Sequence, residues 1–103
     1  MTAASGEEAD KLAEMLVNGS LAACVQILPA IESVYRWKGS VERSSEVLLI
    51  VKTESDKFAE LERQVRALHS YEVPEIVALP ASAISEPYGR WLSASLDRER
   101  VSD

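Results

Sequence analysis

Cysteine is nearly missing from this chain, with Cys24 the one thiol in 103 residues. A single thiol can form neither a disulfide within the chain nor a CxxC zinc site, and it fits a reducing compartment. Histidine is as scarce: His69 is the sole imidazole. No run of Lys and Arg occurs, and 11 basic against 17 acidic residues give a formal charge of −6. That surface lacks the phosphate-neutralising patch that general nucleic-acid binding needs, and it suits cations. No apolar stretch approaches the length of a membrane-spanning helix, and the N-terminus lacks the basic and apolar pattern of a signal peptide. The default expectation is a cytoplasmic protein with no nucleic-acid or membrane partner. A Gly-rich phosphate loop, an H-E-x-x-H pair and a Ser, His and Asp set at a recognisable elbow are absent too. Nothing marks a nucleophile or a substrate, so an enzyme is not expected.

What the chain does contain is an ordinary soluble composition, 47% hydrophobic and 27% charged. Residues 1–103 suffice for one domain with a core, though one small enough to gain from oligomerisation. Ser5-Gly-Glu-Glu8 matches a capping box, with Ser5 as N-cap and Glu8 reaching back. Ala9, Leu12, Ala13 and Leu16 keep helical spacing until Asn18-Gly19, which predicts a first helix over Glu7 to Val17. Ser20 to Leu28 reads as a strand closed by Pro29. Ser33 to Trp37 alternates, and reads as the same strand resumed after a bulge or bend. Lys38-Gly39-Ser40 signals a turn, Val41 starts the return, and Glu46 to Thr53 is the strongest strand, so the two segments form an extended hairpin. Ser55 caps a second helix whose stripe is Phe58, Leu61, Val65 and Leu68.

That helix ends near His69, because Pro74 biases the residue before it away from helical geometry. Glu75 to Leu79 then predicts a short buried strand that stops at Pro80. Ser82 to Glu86 is a loop. Pro87 opens a last helix through Tyr88, Trp91, Leu92 and Leu96. Asp97 to Asp103 is charged and expected to fray. The order is helix, strand, strand, helix, strand, helix, an α+β arrangement. A ferredoxin-like sandwich needs one more strand before the first helix, and Met1 to Ala4 is all that could supply it. Val47 to Val51 is apolar on both faces, whereas two-layer packing covers one. An oligomer with packed sheets, bridged by the long hairpin, is the inference.

Several segments then share a resemblance. Ser20-Leu-Ala-Ala-Cys24, Ser33-Val-Tyr-Arg-Trp-Lys-Gly39, Ser45-Glu-Val-Leu-Leu-Ile-Val-Lys-Thr53, His69-Ser-Tyr-Glu-Val-Pro-Glu75 and Tyr88-Gly-Arg-Trp-Leu92 resemble the CutA family of divalent-cation tolerance proteins. The likeness runs from Ala3 to Ser95 with the motifs in order. It implies a ferredoxin-like protomer in a tight homotrimer with inward-packed sheets, and a role in tolerance to copper and other divalent metals. Two departures stand out. Most members carry His-Pro-Tyr where this chain has His69-Ser70-Tyr71, which removes a rigid φ angle. The family's first strand is longer, and a cysteine linked to copper in some members falls at Met1 here.

The resemblance implies metal ligation by His69, with Glu75 as a second ligand, whereas Glu72, a carboxylate of the same turn, is placed with the inter-subunit cleft and trimer packing. Read from residue chemistry alone, His69 can instead bond the carbonyls of a helix end, and either glutamate can be an ordinary surface charge. A His with one or two carboxylates makes an open, weak site unless neighbouring subunits add ligands. Cys24, in an apolar strand, reads as core packing. Tyr35, Trp37, Tyr71, Tyr88 and Trp91, together with Lys52 and Glu46, either line an inter-subunit cleft or pack the trimer, and packing is the reading adopted. The functional expectation is therefore a homotrimeric protein that binds divalent metal ions, copper foremost. The alternative is a trimeric signalling or scaffolding module of PII-like architecture, with a small molecule or protein in its clefts.

Overall fold

The computed structural model describes residues 1–97. Ser5 Oγ accepts from the Glu8 amide at 3.1 Å and opens helix α1, Gly6–Asn18. Glu8 reaches back as a capping box requires, but its Oε1 accepts from the Ala4 amide at 2.9 Å rather than from that of Ser5. At the far end Gly19 keeps a negative φ, and the left-handed residue is Ser20, at φ 58°. Gly19 is needed for closeness, since a Cβ there would stand 3.0 Å from the Met15 carbonyl.

Strands β2, Cys24–Trp37, and β3, Ser40–Lys52, form the hairpin. Lys38 and Gly39 both carry positive φ in its two-residue turn, which matches the right-handed strand twist. The expected bulge is present. Leu28 pairs with Leu48 but Ile31 pairs with Glu46, so Pro29 and Ala30 together face one residue of β3. Ahead of α1, Thr2–Ala3 forms a two-residue strand β1 against Leu48 and Val47, giving the antiparallel order β1-β3-β2. After β3 a 3-10 turn, Ser55–Lys57, leads into α2, Phe58–Leu68, so Ser55 begins that turn and makes no side-chain cap. Helix α3 spans Glu86–Leu96, with Pro87 in its first turn. Residues 98–103, most of the tail expected to fray, lie outside the described residues.

Strand periodicity divides the sheet. Val47 and Leu49 turn inward with Ala3 and join Ala9, Leu12 and Leu16 of α1 and Leu61 and Val65 of α2 in one core. Glu46, Leu48 and Ile50 alternate onto the opposite face, where Ile50 is 41% and Leu28 42% exposed. The sequence placed apolar side chains on both faces of this strand, and the chain by itself covers one of them.

The strand expected over Glu75 to Leu79 does not form; the segment carries no regular structure and Leu79 is 85% exposed. The reason lies in its prospective neighbour. Met1 exchanges both backbone bonds with Leu49, so antiparallel alternation turns Thr2 alone among Met1–Ala3 toward the open edge of β1. The Thr2 carbonyl is already taken by the His69 ring at 2.8 Å. A strand beside β1 has almost nothing left to pair with.

Candidate functional site

Helix α2 delivers His69 as its C-cap, in extended conformation, with its amide bonded to the Val65 carbonyl. The ring then turns inward and is fully buried. Its Nε2 lies 2.8 Å from the Thr2 carbonyl, and Nδ1 accepts from the Tyr71 amide at 3.0 Å. An imidazole with one acceptor and one donor nitrogen satisfies both bonds when Nε2 carries the proton. Glu8 Oε2 stands 3.7 Å from Nδ1 and accepts from the Ser70 amide at 2.7 Å. Burial raises the Glu8 carboxyl, but the amides of Ala4 and Ser70 and the nearby His69 ring together hold it below the ordinary carboxylate range. One imidazole and one carboxylate thus tie β1, α1 and the Ser70–Tyr71 turn together.

That turn forms one wall of a cleft of about 700 Å³ on the uncovered side of the sheet. Parity along β2 sends Ser33, Tyr35 and Trp37 to the same face as their β3 partners Ser44, Glu42 and Ser40. Tyr35, Trp37, Glu46, Tyr71, Glu72 and Glu75 all line the space, and among the described residues neither Lys nor Arg does. Tyr71 donates its hydroxyl to Glu46 Oε2 at 2.7 Å. Burial, and then this carboxylate, push the Tyr71 phenol up to about 12. Ser44 Oγ donates to the Tyr35 hydroxyl at 3.3 Å.

Of the residues marked in the sequence, the cleft collects Glu72, Glu75, Tyr35, Trp37, Tyr71 and Glu46, while His69 stands behind its wall. Lys52, Tyr88 and Trp91 lie elsewhere: Lys52 Nζ is 5.9 Å from the Tyr88 ring centroid, and the Tyr88 and Trp91 centroids are 5.4 Å apart. Cys24, opposite Lys52 in the sheet, is a free thiol and half-buried rather than part of the core. Sequence reasoning missed Thr2 as the histidine's acceptor and Glu8 as a site residue. The capping box identifies Glu8 Oε1, but no local pattern announces a bond from Oε2 to a residue 62 positions away. Among the described residues, no three His, Cys, Asp or Glu side chains are grouped to hold a metal ion. One chain therefore offers a cation carboxylates but not a complete cage. No described helix is long and apolar enough to cross a membrane.

An antiparallel three-stranded sheet backed by helices on one face, with an acidic, aromatic-walled cleft on the other, defines an α+β protein of the sheet-and-helix kind. The whole-chain comparison is more specific. Residues 1–95 match the family model described as CutA1 divalent ion tolerance protein, and the chain belongs to that family. It is 48% identical over 92 residues to the divalent-cation tolerance protein CutA of Thermus thermophilus, covering 89% of each. The solved Thermus structure superposes with a TM-score of 0.86 over 88% of both chains. A structure of the periplasmic divalent cation tolerance protein CutA from Archaeoglobus fulgidus gives 0.90 at 42% identity, over 93% of each chain. The chloroplastic protein CutA of Arabidopsis thaliana is 46% identical over 92% of this chain, which spans 52% of that relative's length. The Thermus and Archaeoglobus relatives are named for tolerance of divalent cations, not for a catalysed reaction. The relatives also correct the expected compartment: with chloroplastic and periplasmic members this similar, a cytoplasmic location does not follow from the chain.

Proposed function

We propose that this protein serves divalent-cation tolerance as a homotrimer of ferredoxin-like protomers that takes up divalent metal, copper foremost, at the carboxylate-lined cleft. The observation that carries the reading is the cleft's one-sided charge: Glu46, Glu72 and Glu75 line it, with no basic side chain among the described residues there. Glu75 and Glu72 supply oxygen ligands, and water or a neighbouring copy completes the shell. His69 can join them as a nitrogen ligand by giving up its bond to the Thr2 carbonyl or to the Tyr71 amide. Assembly is supported by the uncovered sheet face, where Leu28, Leu48 and Ile50 form an apolar stripe along the hairpin. The 14- and 13-residue strands of that hairpin give the chain a 48 Å long axis, enough to reach across a neighbour.

Two measurements test this. Copper(II) titration of the wild type beside His69→Ala and Glu75→Gln should show saturable binding that weakens in Glu75→Gln. Loss in His69→Ala as well would make the imidazole a ligand, whereas equal weak binding in all three proteins would overturn metal uptake at this cleft. For assembly, Ile50→Asp should shift the mass found by light scattering from trimer toward monomer while the circular dichroism of the helices is kept. An unchanged mass would remove the sheet face from the interface.

A further inference from the structure

We propose that the same cleft is a binding site for an organic ammonium ion, a substituted amine whose cationic head enters between the aromatic rings and Glu46. This goes beyond the divalent-cation reading and does not depend on it, because a hydrated divalent metal uses the carboxylates and has no use for the rings. Tyr35, Trp37 and Tyr71 line the space together with Glu46, Glu72 and Glu75. Aromatic faces attract weakly hydrated cations, and recognition of methylated ammonium groups by rings and acids is a general use of that attraction. The Trp37 ring already shows the preference: the ammonium of its neighbour Lys38 stands 5.6 Å from the ring centroid. Lys38 is exposed and is not among the residues that line the cleft, so its ammonium leaves the space open to a ligand.

The second observation is Glu46. The residue is 7% exposed, and its Oε2 accepts from the Tyr71 hydroxyl. A nine-tenths buried carboxylate in a cleft whose described lining holds no Lys or Arg draws a positive charge toward it. Anionic ligands meet Glu72 and Glu75 at the same wall and are disfavoured. About 700 Å³ holds a tetramethylammonium head with room for one substituent.

The probe is tetramethylammonium chloride, titrated calorimetrically into the intact protein against sodium chloride at matched ionic strength. Saturable binding is expected for the organic cation and none for sodium. Trp37→Leu, at an exposed arm position, should weaken it by about fivefold, Glu46→Gln should weaken it further, and Lys38→Ala should strengthen it. Tyr88→Leu, outside the cleft, should leave it unchanged. Binding that fails to saturate, that sodium reproduces, or that survives both Trp37→Leu and Glu46→Gln overturns the proposal. So does absence of binding to the assembled wild type, which would mean that a neighbouring copy fills the cleft. Copper(II) uptake by Trp37→Leu should stay at the wild-type level, so failure of either ligand class leaves the other standing.

Discussion

The core and the hairpin arm both carry large apolar side chains, and they treat them oppositely. Leu12, Leu16, Leu49 and Val65 are fully buried between two helices and one sheet face. Val34, Tyr35, Trp37 and Val41, in the arm, are each more than two-fifths exposed. The first set is satisfied within one chain. The second splits by the same alternation, Tyr35 and Trp37 onto one face of the arm and Val34 and Val41 onto the other, and among the described residues neither face is covered. Periodicity therefore states that a face is apolar; it does not state whose atoms cover it.

Cutting into the core should have the largest effect. Leu16→Ala should cost about 2–5 kcal/mol in chemical denaturation, by lost transfer energy plus the cavity left behind. Val41→Ala in the arm should stay within about 0.5 kcal/mol for the isolated protomer. Equal losses at the two positions would break the contrast between them.

The next effect belongs to the junction behind the cleft. His69→Ala strands the Thr2 carbonyl and the Tyr71 amide, and should cost about 1–3 kcal/mol in the same measurement. Its neighbour Glu8 gives this region a pH dependence. The Glu8 carboxyl is held below its ordinary value in the folded chain, so its contribution is present above that ordinary value and is lost as pH falls through the folded one. Glu8→Gln should therefore flatten the acid limb of a stability-against-pH curve. A curve unchanged from wild type would show that the amide bonds, not the charge, do the holding.

Smallest is the cleft wall. Tyr71→Phe removes a single hydrogen bond to Glu46 and should cost about 1 kcal/mol. Because folding raises the phenol to about 12, the Tyr71 contribution is whole below the ordinary tyrosine value and fades as pH climbs toward that figure. Ultraviolet titration should show one tyrosine ionising late in the wild type and none so late in Tyr71→Phe.

How much of this could be read from the residues depends on how far each interaction reaches along the chain. The α1 cap, the bulge at Pro29-Ala30, the hairpin turn and the α2 stripe are local, and each was legible. Even there the stripe overreached: Leu61 and Val65 are buried while Leu68 is 47% exposed, because the core ends one turn before the helix does. Glu75 to Leu79 was a correct apolar run and a wrong strand, since a strand needs an edge and the β1 edge is almost closed. The lone histidine at a helix end was visible, but its bond to Thr2 spans 67 residues. The motifs carried the family at once. The compartment was not legible, because relatives this similar work in different ones.

The bulge at Pro29 and Ala30 acts as an elbow for the hairpin. Because strand side chains alternate with period two, Ser33, Tyr35 and Trp37 beyond it turn toward Glu46. Deleting Ala30 would leave Leu28 opposite Leu48, Pro29 opposite Val47 and Ile31 opposite Glu46, so every pair and every face would be kept. What would go is the local bend and extra twist that an unpaired residue puts into a strand, and with them the angle at which the arm leaves the sheet.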